Sequence, residues 1–201
     1  MENEVVVIEQ KNELSDNAFN DTVSFQKLYD IGKMFASSTL VPQTYQGKPM
    51  DCTIAVDMAN RMNVSPMMVM QNLYVVKGKP SWSGQACMSL VKASPLFKNV
   101  KHVYFGDEGT DSWGCYVEAV RTDDGDLVKG AKVTIQMAKN EGWYSKNPKW
   151  KNMPELMLAY RAAAFFARVH IPNTLMGCAV EGEVEDMQLV SQVREAPNVF
   201  E

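Results

Sequence analysis

Histidine is scarce in this chain. Only His102 and His170 occur in 201 residues, far apart and without a serine or cysteine pattern beside them. A His-based catalytic triad therefore has little support. Neither Gly-x-x-x-x-Gly-Lys-Ser/Thr nor Gly-x-Gly-x-x-Gly occurs, so no glycine-rich loop of either kind is there to cradle a nucleotide. The four cysteines (Cys52, Cys87, Cys115, Cys178) show no short spacing. That argues against a metal site or a disulfide framework, and for a reducing compartment. No apolar run approaches the roughly 20 residues of a membrane span. The first residues, Met1, Glu2, Asn3 and Glu4, are acidic rather than the basic start of a signal peptide. The expectation is a soluble cytoplasmic protein with no metal and no cofactor.

Carboxylates are plentiful but poorly placed for chemistry. Asp51 and Asp57 fall in one helical run, Asp123, Asp124 and Asp126 read as a turn, and Glu181, Glu183 and Glu185 as a solvated segment. A metal nuclease needs carboxylates that converge on one site. The reading is therefore not an enzyme.

The net charge of −4 is unevenly spread. Residues 77–101 hold five lysines and no acid, a net of +5. Residues 129–168 hold six lysines and two arginines against Glu141 and Glu155, a net of +6. The acids gather in 1–30, 102–128 and 181–201. A basic stripe acts over about a Debye length, ~8–10 Å, whatever the total charge. The alternative is an ordinary solvated face.

Periodicity and punctuation give an α+β pattern. An acidic tail over 1–20 precedes a core over 21–177, and a second acidic tail covers 178–201. Phe25, Leu28, Ile31 and Phe35 predict an amphipathic helix over 24–37, capped by Ser24 or Thr22. A second helix runs from Asp51 to about Met62, burying Ile54, Met58 and Met62. Ser65-Pro66 starts a third. Leu73–Val76 and Pro80–Trp82 form a hairpin turning at Gly78. Ser83 caps a helix to about Ala93, with Ala86, Leu90 and Val91 inward. Strands follow at 100–105, 113–121 and 127–137, with Trp113, Cys115, Val117 and Ala119 on one face. A loop over 138–152 leads to a long helix from Pro154 to His170, with Asn152 as its cap. The expected fold is a small curved antiparallel sheet with a hairpin and a long helix packed on it, flanked by N-terminal helices.

Two basic segments carry the candidate chemistry. Lys77 and Lys79 bracket the hairpin turn and project to one face, with Trp82 and Gln85 close behind. Either the hairpin lies against a phosphate backbone, or it is a charged turn with Trp82 in the core. In the loop, Trp143, Tyr144 and Trp150 interleave with Lys146, Lys149 and Lys151. Rings stack on bases and lysines meet phosphates, which is how single strands are held. This reading needs the tryptophans exposed. On the following helix Arg161 and Arg168 are two turns apart and share a face. Phosphate contacts are preferred for them over pairing with acids. Phe165 and Phe166 read as core, and the fourteen methionines as adaptable core.

The segment Ile54–Gln85, IAVDMANRMNVSPMMVMQNLYVVKGKPSWSGQ, resembles the first block of the RecT-type (RecT/Red-beta) single-strand annealing proteins of bacteriophages. The segment 142–177 resembles that family's closing block, through Trp150, Met153, Pro154, Glu155, Met157, Leu158, Arg161, Ala162, Phe166 and Arg168. The resemblance implies single-stranded DNA binding, ATP-independent annealing, and homo-oligomeric rings or helical filaments in phage recombination. It also implies partnership with a phage exonuclease and a host single-strand-binding protein. The implied DNA-binding positions are Lys77, Lys79, Trp82, Gln85, Trp143, Lys149, Trp150, Lys151, Arg161 and Arg168. The rival expectation is a non-enzymatic phage scaffold or regulator that binds a protein through its Met- and Ala-rich surface.

Overall fold

The computed structural model describes residues 18–76, 78–180 and 183. The acidic tails expected over 1–20 and 178–201 lie largely outside the described residues, and so does Lys77. Among the described residues the fold is mixed α+β, with two small sheets, neither closed. The chain divides between Gln71 and Asn72, inside the segment expected to form one core.

The first unit is helical. A 3-10 turn at Ala18–Asn20 leads to α1 (Thr22–Ala36), followed by α2 (Pro49–Met62) and α3 (Pro66–Asn72), whose last residue opens the second unit. Asp21, rather than Ser24 or Thr22, caps α1; its carboxylate accepts from the Ser24 backbone N–H at 2.8 Å. A carboxylate there also suits the positive helix end. Leu28 is fully buried on α1. On α2 the buried residues are Cys52, Thr53, Ala55, Val56, Met58 and Ala59. Of the residues expected inward, Met58 is buried whereas Ile54 is 53% exposed.

The second unit holds both sheets. The hairpin β1 (Leu73–Val76) and β2 (Lys79–Trp82) pairs Val76 with Lys79. Gly78 sits in the turn at φ +79, a conformation that costs other residues a steric clash. Ser83 caps α4 (Gly84–Ala93), as its hydroxyl accepts from Ala86 N–H at 3.0 Å. The strands β3 (Phe97–Phe105) and β4 (Gly114–Arg121) pair antiparallel, with β5 (Leu127–Lys129) and the short β6 (Val133–Thr134) on the other edge of β4. The register of β3 shifts between Lys98 and Lys101, where Asn99 adopts φ +56. The strand expected over 127–137 is thus two short ones, and residues 135–137 already belong to a helix.

The expected loop over 138–152 is mostly helical: α5 (Ile135–Asn140), α6 (Trp143–Lys146) and α7 (Lys149–Asn152). The long helix α8 (Pro154–His170) starts and ends where its prolines predict. Its N-cap is Met153 without a side-chain hydrogen bond, rather than Asn152. Helix α8 packs on β4 with one side and on α4 with another. Cys115, Val117 and Ala119 of β4 are buried, as are Trp113 just before it and Leu158, Ala162, Ala163, Phe166 and Ala167 of the helix. The approach of α4 is close enough that a Cβ on Gly84 would lie 2.6 Å from the Tyr160 Cβ. After α8 the chain returns as β7 (Ala179–Val180), parallel to β2, making a three-stranded sheet β1-β2-β7.

Candidate nucleic-acid interface

The aromatic and lysine positions between Gln136 and Asn152 are sorted by burial. Thr134 caps α5, its hydroxyl accepting from Met137 N–H at 3.1 Å. Gly142 at φ +72 turns the chain into α6. Trp143 and Trp150 then point inward and are buried, at 8% and 3% exposure. Lys146, Lys149 and Lys151 point outward and are exposed. The alternation that suggested bases between rings is therefore amphipathicity on one-turn helices. The expectation of exposed tryptophans is corrected: their large apolar area is worth more inside the unit than on its surface.

What the tryptophans meet is each other and an arginine. The Trp143 and Trp150 rings stack with centroids 5.9 Å apart. The Arg161 guanidinium carbon lies 3.7 Å from the centroid of Trp143 and 5.2 Å from that of Phe165. Phe165 meets Trp143 edge to face. Arg161 itself is only 6% exposed. The phosphate role expected for it is corrected on the same ground: it is a core residue that ties α6 to α8. A planar, weakly hydrated guanidinium is the cation suited to lying on an indole face.

Arg168, on the same helix, is turned toward protein as well. Its Nε donates to Glu183 Oε1 at 2.8 Å, and its Nη2 donates to Glu183 Oε2 and to Cys178 O. The ion pair raises the arginine pKa further. Glu183 also accepts from Val180 N–H at 3.1 Å. The pairing with an acid, which the sequence pattern made the less favoured alternative for Arg168, is thus the one the structure contains.

In the first basic segment Trp82 is fully buried and its indole N–H donates to Leu175 O at 3.2 Å. Of the two readings of the hairpin, the one with Trp82 in the core is correct for this residue. Lys79 on β2 and Gln85 on α4 are exposed.

The structure does assemble one cationic patch. Tyr144, half-buried on α6, has Lys139 Nζ at 5.5 Å and Lys151 Nζ at 5.9 Å from its ring centroid. Lys139 is also paired with Asp111. Lys146 and Lys149 are exposed on the neighbouring helices α6 and α7. Tyr144 was among the rings the sequence offered for stacking, whereas Lys139 was not among its candidates. Only the fold shows that Lys139 and Lys151 reach the same ring.

Among the described residues there is no group of three or more His, Cys, Asp or Glu that could hold a metal ion. Among them, too, no helix is long and apolar enough to cross a membrane. All four cysteines are buried, and burial pushes the Cys115 thiol up to about 11. The alanines of α8 are buried.

No protein family, curated protein or solved structure matches this chain.

Proposed function

We propose that this chain binds single-stranded DNA and anneals complementary strands without ATP, as its resemblance to RecT-type proteins implies. The observation that carries the reading is the approach of Lys139 and Lys151 to the Tyr144 ring, with Lys146 and Lys149 exposed on the same run of three short helices. Lysines on exposed one-turn helices track a phosphate backbone, and a half-exposed ring among them offers one stacking platform.

Annealing forms and breaks no covalent bond. One strand is held by its backbone with base edges outward, and a second strand tests pairing against it. Each protomer contributes few phosphate contacts, so side-by-side assembly into a ring or filament supplies long residence. A phage exonuclease would generate the strand, and a host single-strand-binding protein would precede this chain on it. The setting is phage homologous recombination in the host cytoplasm.

The test mixes the protein with two complementary labelled oligonucleotides without nucleotide triphosphate and follows duplex formation. Acceleration that fades with salt supports the reading. Absence of both binding and acceleration at low salt ends it, and metal-dependent degradation in the same tube would point to a nuclease.

A further inference from the structure

The face of the β3-β4-β5 sheet turned away from α8 is a second surface of mixed rings and cations. Strand alternation puts Tyr116, Glu118 and Val120 opposite to the buried row of β4. The register places Val103 beside Tyr116, Phe105 beside Gly114, and both Lys101 and Lys129 beside Glu118. The Phe105 and Tyr116 rings are 6.1 Å apart. A Cβ on Gly114 would lie 2.5 Å from Phe105 Cζ, so the ring lies down across the glycine instead of standing off the sheet. Lys132 Nζ is 5.0 Å from the Phe105 centroid, and Lys129 Nζ is 6.0 Å from that of Tyr116.

The charge of this face is positive where it meets solvent. The Glu118 side chain is 13% exposed and lies between Lys101 Nζ at 3.1 Å and Lys129 Nζ at 3.8 Å. The two lysines remain 63% and 57% exposed. An apolar protein partner would have to desolvate these ammonium groups, which is costly. A single strand would not, because it offers a base for each ring and a phosphate for each lysine. Aromatics on an open sheet face with cations around them are an established way of holding single strands.

We propose that this outer sheet face is a second single-stranded DNA surface, separate from the α5–α7 lysines. Bases stack on Tyr116 and Phe105, and Lys101, Lys129 and Lys132 meet the backbone. The proposal rests on the reading of the chain as a single-strand binder.

The test uses the full chain with fluorescent oligo(dT), read by anisotropy over a salt series, and 5-iodouracil photocrosslinking mapped by mass spectrometry. Tyr116→Ala should weaken binding about tenfold, while Tyr116→Phe, which keeps the ring, should bind as the native chain does. Lys129→Gln with Lys132→Gln should flatten the log–log salt slope by about 0.7 for each phosphate no longer neutralised. Crosslinks should fall on Tyr116 or Phe105. Native-like binding by both the Tyr116→Ala and double-lysine variants, with crosslinks only on α6 and α7, overturns the sheet surface and leaves the α5–α7 reading standing. Loss of binding in Tyr116→Phe as well, with an altered circular dichroism spectrum, overturns it too, as a folding effect. Failure of the native chain to bind oligo(dT) at low salt overturns both readings together.

Discussion

The Arg161 guanidinium lies on the Trp143 indole, 3.7 Å from the ring centroid, at 6% exposure. A desolvated cation–π pair of this kind contributes about 2 kcal/mol or more. Arg161→Ala should therefore destabilise the protein by at least that amount, with the added cost of the space left between α6 and α8. Arg161→Lys keeps the charge but not the plane, and should recover only part of the loss. Urea unfolding monitored by tryptophan fluorescence measures both. Unchanged stability in Arg161→Ala, with weakened DNA binding, would return Arg161 to the phosphate role.

The exposed lysines should behave in the opposite way. Replacing Lys146, Lys149 and Lys151 by Gln should change stability by no more than about 0.5 kcal/mol for each, as for ordinary surface substitutions. Oligonucleotide affinity should fall, and the salt slope should flatten by about 0.7 for every phosphate that loses its lysine. Native-like binding in the triple variant would remove this patch from the interface.

The contrast between these two sets of residues marks what was legible in the sequence. The limits of α8 were readable because Pro154 and Pro172 punctuate a long run. The buried row Trp113, Cys115, Val117 and Ala119 was readable because a half-buried strand alternates. Helices α6 and α7 were not, since four residues give no period to detect. The site suffered most. Arg161 and Trp143 are 18 positions apart, and nothing local distinguishes an arginine that will lie on an indole from one that will meet a phosphate. Arg168 was misread for a related reason, because its partner Glu183 belongs to a segment that looked merely solvated.

Acid should loosen the second unit through His102. Its Nε2 is 3.2 Å from Ala159 O, between β3 and α8. Burial, with a smaller contribution from Lys92, holds its pKa below the ordinary histidine value, and the Ala159 contact opposes the shift only in part. His170 is displaced the same way by burial. The unfolded chain therefore binds more protons than the folded one below the unfolded value of about 6.5. Stability is complete above that pH and declines as pH falls from it through the lowered folded pKa. The urea midpoint should drop between pH 7 and pH 5, and the drop should be shallower in His102→Gln. An identical pH profile in the variant would assign the acid sensitivity to other groups.

Arg168 and Glu183 should control the β7 strand. The pair is partly exposed, with side-chain exposures of 35% and 22%, so its contribution is on the order of 1 kcal/mol and not more. Its position matters more than its strength. Glu183 accepts from Val180 N–H while Arg168 holds Cys178 O, and these contacts fix the two residues of β7 against Ser81 and Trp82 of β2. In Glu183→Ala, amide exchange at Val180 should accelerate far more than exchange within α8, and high salt should produce a milder version of the same change in the native chain. Arg168→Lys, which keeps a charge but loses the two-pronged geometry, should fall between native and Glu183→Ala. Oligonucleotide affinity should stay near native in Arg168→Lys, because in the native chain the guanidinium is engaged by the protein's own carboxylate. A strong loss of affinity in Arg168→Lys with unchanged exchange at Val180 would show instead that Arg168 leaves Glu183 for a phosphate when DNA is present.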